Sequence, residues 1–282
     1  MLWHTLMSIA EQNTSYKYEI VVVDNDINKS GMKTCERARR ELFNYNLQYS
    51  VEPNQNISLA RNKAIKRAKS ELIALIDDDE TATDKWIDAY IEVLSNSDYD
   101  YAVGPVLLVI PNEWPNWLIK GGIFHEKIYQ TQKNIRACTN NACYKRHCFS
   151  QRSEPFDHRY GRTGGEDAEF GSFLAQRKFH GVWCQNATVY EIQEDSRRKP
   201  MWHIKRAFQH GLNHSAFLTH KNGRRKAVFQ NSTRSICGII RAILCYGITF
   251  YNGRTGLFKL LVSLSRQVGR ISYFFGVRKR GY

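Results

Sequence analysis

Four consecutive acids, Asp77, Asp78, Asp79 and Glu80, end the apolar run in ELIALIDDDE. Crowded carboxylates repel one another unless a cation or ligand offsets their charge, so the cluster reads as a site. Hard oxygen donors beyond the carboxyl end of a strand suit Mg²⁺ or Mn²⁺ holding a phosphorylated substrate. The plain alternative is a helix start, because acids at 77–80 would complement the N-terminus of a helix opening near Thr83. Two more acidic points stand in comparable settings. Asp24 closes the β-branched run IVVVD, and Glu166 and Asp167 follow the Gly164–Gly165 pair in GRTGGEDAEF. For that Glu-Asp pair, first-turn helix capping is the competing explanation.

Positioning these side chains requires strands that end at them and helices that cover those strands. The spacing of Leu2, Leu6, Ile9 and Ala10 predicts a helix, and Ile20–Val23 a strand. A basic helix is expected over about 33–44 and a strand over 47–51. Asn56 or Ser58 then caps a helix carrying Leu59, Ala60, Ala64, Ile65 and Ala68, which leads into the 71–76 strand. A helix over 84–95 and a strand over 100–109 follow. This alternation predicts an α/β fold with a mostly parallel sheet and helices on both faces. PNEWPNWLIKGG carries two Pro, two Trp and a Gly pair, and so predicts an irregular connection over 111–136, a flap or a surface loop. Regular structure resumes at 136–145. GRTGGEDAEFGSFLAQRKF reads as a glycine turn opening an amphipathic helix, and 181–190 as a last strand.

At 282 residues and 42 % hydrophobic, the chain can bury one large core, alone or with a smaller appendage, which excludes a disordered protein. Its seven Cys are odd in number, form no C-x-x-C pair and follow no signal peptide, so a reduced, cytoplasm-facing setting is expected. Cys138, Cys143, Cys148 and His147 have no common zinc spacing and read as small core residues. The charge is sharply divided. Residues 197–282 hold 18 Lys and Arg and no Asp or Glu, whereas residues 1–196 hold 23 bases and 27 acids. A boundary at 196/197 follows, with an anionic partner for the tail, either phospholipid headgroups or nucleic acid. The apolar window 236–251 contains Arg241 and is short for a membrane span, which needs roughly 20 residues. Over 257–275, Leu257, Leu260, Leu261, Leu264, Val268, Ile271 and Phe275 share one stripe, the pattern of a basic helix lying on an anionic membrane surface. A helix packed on the body with a solvated basic face is the alternative. No nucleic-acid motif accompanies the charge, so nucleic acid is not expected as a partner.

The order and setting of the three acidic points resemble the inverting glycosyltransferases of family 2, which have the GT-A fold, over residues 1 to about 215. The resemblance implies a residue role for each motif. VVVDND resembles the strand whose last acid bonds the nucleotide base, here Asp24. ISLARNKAIKRAKSELIALIDDDE resembles the family's "ARN…A…DxD" stretch. It implies that Arg61, Asn62, Asp77 and Asp78 lie at the nucleotide, with Asp79 and Asp77 on a divalent cation, Mn²⁺ or Mg²⁺. TNNACYKRHCF resembles the strand beneath the acceptor. FDHRYGRTGGEDAEF is similar to "FDE…GGED", which makes Asp167 the general base and Glu166 its neighbour.

Two departures shape the expectation. The family's opening strand, with its "TYNR"-like segment, is missing, and the chain starts one element later at Leu2. A strand that belongs between those ending at Asp24 and Asp77 is therefore expected upstream, and Met1 is not the expected natural start. A "QxxRW" segment is also absent, which favours transfer of a single sugar over processive synthesis. VYEIQEDSRRKPMWHIKRAFQHGLNHS resembles bacterial exopolysaccharide transferases of the succinoglycan type. The implied activity is inverting transfer from a nucleotide-sugar donor to a lipid-linked or saccharide acceptor, in cell-surface polysaccharide synthesis, peripheral on the inner face of the cytoplasmic membrane. The rivals are a non-catalytic GT-A remnant or binding protein, and a basic nucleic-acid-binding protein.

Overall fold

Residues 1–42, 46–95, 97–123, 135–247 and 253–277 are described by the computed structural model. Helical stripes and β-branched runs alternate as their periods predict: α1 (Leu2–Ala10), β1 (Glu19–Asp24), α2 (Met32–Glu41), β2 (Asn46–Val51), α3 (Ile57–Arg67), β3 (Leu72–Ile76), β4 (Glu80–Ala82), α4 (Trp86–Ser95), β5 (Tyr101–Val103), β6 (Val106–Val109), α5 (Asn116–Leu118), β7 (Asn141–Lys145), α6 (Glu166–Gln176), β8 (Gly181–Trp183) and β9 (Val189–Ile192). Three long helices follow: α7 (Pro200–Asn222), α8 (Arg224–Ala242) and α9 (Gly253–Ser272). The chain forms two units. One comprises Met1–Val109 with Glu126–Ile192, and the other Ile110–His125 with Gln193–Tyr282.

In the first unit the strands form three sheets, ordered β1-β2, β3-β7-β5-β8 and β4-β9-β6. Three connections pass from the four-stranded sheet to the three-stranded one: β3 to β4, β5 to β6 and β8 to β9. The acidic run is one of these corners. The segment expected as one strand over 100–109 is broken at Gly104-Pro105, and that over 181–190 at residues 184–188. Proline lacks the N–H that a continuing ladder needs, which explains the first break. The helix expected over 84–95 is α4, and the alternative that the acids serve only its start does not hold, since Glu80 opens a strand and α4 begins six residues later. The pairings are mixed: β1-β2, β5-β8 and β6-β9 are parallel, and β3-β7, β5-β7 and β4-β9 antiparallel. β1 and β3 belong to different sheets and make no ladder with each other.

Aromatic rings fill the interior of this unit. Phe149, Phe156 and Phe170 pack with Tyr144, the Phe149 and Phe170 rings stacking at 5.4 Å. Cys138, Cys143 and Cys148 are buried free thiols within the core, as small apolar residues would be. Burial pushes the Cys138 and Cys148 thiols up to about 12. The corners are held by one side chain. Asn141 is fully buried; its Nδ2 donates to Pro105 O at 2.9 Å and Ala187 O at 2.8 Å. Its Oδ1 accepts from Trp86 Nε1 at 2.8 Å and Tyr90 Oη at 2.7 Å. A single carboxamide thus ties two of the three corners to α4.

The second unit is helical and cationic. Part of the connection expected as irregular over 111–136 packs within it: Trp114 and Leu118 are buried with Ala207, Phe258 and Val262, and Thr255 Oγ1 donates to Trp117 O at 3.1 Å. The rest of that connection, 124–134, lies outside the described residues. α7 and α9 cross at backbone contact distance, because a Cβ at Gly211 would collide with Arg266 O and one at Gly269 with Phe208 O. The α8 helix is reversed in polarity. It buries Ala227, Asn231, Ser235 and Ala242 and exposes Phe229, Ile236 and Ile240. On α9, Leu257, Leu261, Val268 and Ile271 of the predicted stripe face outward. Among the described residues, no helix is long and apolar enough to cross a membrane.

Candidate active site

The site is built on the N-terminal half of α3, whose orientation is set by its cap. Asn56 Oδ1 accepts from the Ser58 and Leu59 N–H groups at 3.1 and 3.3 Å, while its Nδ2 donates to His158 O at 2.8 Å. Ser58 Oγ donates to Asp157 O at 3.0 Å. These bonds fasten the helix start to the FDHRYG loop. Asn62 extends the fastening, with Nδ2 donating to Phe156 O and Oδ1 accepting from Phe156 N–H, both at 2.8 Å. Both ends of the Asn62 amide are therefore engaged by the chain itself. Asp157, in the same loop, is held below the usual carboxylate range by hydrogen bonds from Arg159.

Arg61, one residue earlier, reaches in two directions. Its Nη1 donates to Glu166 Oε1, and its Nη2 lies 3.6 Å from Asp77 Oδ1. One guanidinium joins the acid that ends β3 to the first residue of α6. The Arg61 and Glu166 side chains are 15 % and 9 % exposed and that of Asp77 is 42 %, so the first pair is interior and Asp77 faces solvent. Glu166 and Asp167 consequently have different surroundings. Glu166 is committed to Arg61, whereas the Asp167 side chain is half-buried and makes no hydrogen bond or ion pair among the described residues. The turn before them needs glycine, since Gly164 and Gly165 have φ of 82° and 102°.

The acidic corner is likewise divided. Asp77 N–H donates to Glu80 Oε2 and Glu80 N–H to Asp77 O, each at 3.2 Å, closing a tight turn. Glu80 points inward and is 1 % exposed, with Asn140 Nδ2 at 3.4 Å from its Oε1. Asp78 is exposed, and its carbonyl accepts from Thr5 Oγ1 of α1 at 3.0 Å. Asp77 and Asp79 are half-exposed. No three His, Cys, Asp or Glu among the described residues converge as a ready metal cage. A metal that takes one or two carboxylates and completes its shell with phosphate and water needs no such cage, and the hard oxygen donors of Asp77 and Asp79 fit that case.

Asp24 is placed elsewhere in the same unit. Its Oδ1 accepts from Asp26 N–H at 3.0 Å, and its Oδ2 accepts from Gly31 N–H and Tyr49 Oη, both at 2.8 Å. Burial and this bond push the Tyr49 hydroxyl well above its ordinary range. The structure thus brings Arg61, Asp77 and Glu166 together beside Asp167, and leaves Asp24 bonded to the 26–31 turn and Tyr49, and Asn62 to Phe156 of the FDHRYG loop. Sequence reading missed the inward turn of Glu80, the Asn141 clamp, and Arg152, which forks onto Glu169 of α6 at 2.9 and 2.6 Å. A polar Asn opening the apolar strand NACYK was the one available signal.

Comparison with known proteins follows this geometry. The family model described as Glycosyl transferase family 2 matches residues 1–159. The succinoglycan biosynthesis protein ExoM of Rhizobium meliloti (strain 1021) is 28 % identical over 294 residues, covering 99 % of this chain and 90 % of that protein. Chondroitin synthase of Escherichia coli is 25 % identical over 66 % of this chain, which spans only 32 % of that protein. Among solved structures, S. aureus TarS 1-349 in complex with UDP-GlcNAc aligns with a TM-score of 0.53 at 14 % identity, covering 99 % of this chain and 89 % of that one. GalNAc-T7 with UDP, GalNAc and Mn²⁺ aligns at 0.50 and 17 % identity, over 67 % and 41 %. These two likenesses establish the GT-A fold.

Proposed function

The chain belongs to glycosyl transferase family 2, and from that premise we propose that it transfers a single sugar, with inversion, from a nucleotide-sugar donor to a lipid-linked or saccharide acceptor in cell-surface polysaccharide synthesis. The observation that carries this reading is the separation of Glu166 from Asp167. Glu166 holds Arg61, and Arg61 holds the corner at Asp77, which leaves Asp167 as the carboxylate beside them that is unengaged among the described residues. In an inverting displacement that carboxylate takes the proton of the attacking acceptor hydroxyl. The succinoglycan assignment of the relative ExoM, which is covered almost end to end, supports an exopolysaccharide product. The UDP-GlcNAc complex of TarS and the UDP and Mn²⁺ of GalNAc-T7 support a uridine diphosphate donor and a divalent cation.

Asp79 and Asp77 would hold that cation, which supplies charge neutralisation to a departing nucleoside diphosphate. Asp78, exposed beside them, and Arg61 would contact the nucleotide. The helical unit is read as the membrane contact. Its cationic composition suits anionic headgroups, and an outward row of Phe229, Ile236 and Ile240 suits the acyl boundary of the inner leaflet. The test is radiolabelled sugar transfer across a panel of nucleotide sugars with Mn²⁺, alongside calorimetric titration of uridine diphosphate into native protein and Asp79→Ala. Metal-dependent binding that is weakened in Asp79→Ala, together with transfer from one donor, is expected. Binding without any transfer would establish a non-catalytic protein.

A further inference from the structure

Several arginines of the α/β unit are paired with carboxylates, as in the Arg61–Glu166, Arg152–Glu169 and Arg159–Asp157 pairs. The helical unit contains a cluster without such pairing. α8 and α9 run antiparallel, since Arg224 Nη2 donates to Phe274 O at 3.3 Å near one end and a Cβ at Gly238 would lie 2.7 Å from Gln267 Cδ further along. Arg234 and Ser235, one turn before Gly238, therefore share a level with Arg270, one turn after Gln267. α7 adds His214 at the same level, its Nδ1 3.2 Å from Asn231 Oδ1 and its Nε2 3.4 Å from Arg234 Nη1. The geometry suits a neutral imidazole with the proton on Nδ1, and burial together with Arg270 and Arg234 holds its pKa below the ordinary value.

Three donors at this level have nothing to donate to among the described residues. Asn231 Nδ2, Ser235 Oγ and Arg270 Nε are buried without a hydrogen-bond partner among the described residues, although Arg270 Nη1 donates to Gln267 Oε1 at 2.8 Å, and Asn231 and Ser235 are 1 % and 0 % exposed. Burying unmatched donors is costly, and the cost rises where positive charges also crowd. Arg234, Arg266 and Arg270 are in no ion pair among the described residues, and residues 197–282 contain no acid that could supply one. A small anion with several acceptor oxygens and no donors answers all of these deficits together. Phosphate has that chemistry, and guanidinium, hydroxyl and amide N–H groups are its usual partners.

We infer that this level of the helical unit is a phosphate-binding site, held by Arg270, Ser235 and Asn231 with the exposed Arg234 and Arg266 beside it. The site lies wholly within the helical unit and uses none of the residues assigned to sugar transfer. The phosphate belongs either to a lipid headgroup or to a soluble phosphate compound.

Thermal unfolding of the full chain at constant ionic strength, with chloride replaced by inorganic phosphate or pyrophosphate, tests the site. The midpoint of the native chain should rise by roughly 3 °C per tenfold increase in ligand above its Kd. Arg270→Met should abolish that rise. Ser235→Ala, a smaller change that carries the test if Arg270→Met fails to fold, should weaken the apparent affinity by about tenfold, the effect of one lost hydrogen bond to a charged group. Arg225→Gln removes the same charge from exposed α8 surface and should keep the full response. No response in the native chain, or responses in Arg270→Met and Ser235→Ala equal to native, would overturn the site. Retention on phosphatidylglycerol over phosphatidylcholine vesicles distinguishes the sources. Loss of retention in Arg270→Met assigns the phosphate to a lipid, and unchanged retention with the thermal response gone assigns it to a soluble compound.

Discussion

Both units bury apolar cores, but α8 of the helical unit sorts its residues by a rule opposite to that of the α/β unit. In the α/β unit Tyr144, Phe156 and Phe170 lie inside, and interior charges such as Arg61 and Glu166 meet partners. In the helical unit α8 turns Ala227, Asn231 and Ser235 inward and leaves Phe229 74 % exposed and Ile236 59 % exposed. The first arrangement is what water imposes, because apolar area leaves solvent and polar groups keep their bonds. Small residues between helices and large apolar ones outside are instead what a lipid boundary selects. The difference is what the proposed membrane contact of the helical unit would require.

The largest effect is expected where the α/β rule is most concentrated. Asn141→Leu would leave Trp86 Nε1, Tyr90 Oη and the carbonyls of Pro105 and Ala187 without their partner. At ~1–3 kcal/mol each, four such losses rival the ~5–15 kcal/mol stability of a domain. Soluble expression and circular dichroism should show little folded protein; a native-like melting curve would mean the corners are held by other contacts.

Asp167→Asn and Glu166→Gln separate neighbours that sequence alone treats as a pair. Asp167→Asn should keep uridine diphosphate binding and lower the transfer rate by ~10² to 10⁴, the range for a general base. Turnover near the native value would place the base elsewhere. Glu166→Gln should instead lower stability by roughly 1.5–3 kcal/mol, the size of a hydrogen bond to a charged group, because Arg61 keeps only the half-exposed Asp77. Chemical denaturation measures it, and an unchanged midpoint would show that the interior pair contributes nothing.

The outward face of α8 can be broken without touching the interior. Ile236→Asp with Ile240→Asp should leave the melting temperature close to native, since exposed substitutions usually change stability by less than about 0.5 kcal/mol. Co-sedimentation with anionic liposomes should fall by roughly tenfold or more for each isoleucine withdrawn from lipid, given ~1.5–3 kcal/mol per buried side chain. Equal sedimentation would show that charge alone makes the contact.

The smallest effect is a pH dependence. Burial holds His203 and His214 below their ordinary value of 6.5 in the folded chain. The unfolded chain therefore takes up protons first as pH falls. The stability these groups contribute is complete above about pH 6.5 and declines from there towards their depressed folded values. Urea midpoints at pH 7.5 and 5.5 should differ in that direction, and His214→Gln should narrow the gap.

Much of the α/β unit was legible because its signals are local. Asn56 caps α3, β1 ends at Asp24, and the glycine pair opens α6, each decided by a few residues and a period of 2 or 3.6. The corners were not legible. ELIALIDDDE shows a strand and four acids, but the inward turn of Glu80 depends on β9 and on Asn140, which lie 111 and 60 residues away in sequence. The tail showed its charge and its stripe plainly. The stripe alone could not say whether it faces inward, because a 3.6-residue period marks a face without naming what covers it.

By itself, then, the sequence determined the order of helices and strands, the three acidic points, the division of charge at the last third of the chain, and the family resemblance, all of them properties of neighbouring residues. Tertiary structure decided which acids act together. Arg61 reaches Asp77 and Glu166, 16 and 105 residues away, and so makes one neighbour of the Glu-Asp pair a structural partner and leaves the other open. It also decided that Ser235 and Asn231 are buried rather than in water, because the close approach of α7, α8 and α9 at Gly211, Gly238 and Gly269 is a property of three helices together. Long-range contacts of this kind are chosen by packing and desolvation, which no local pattern of residues encodes.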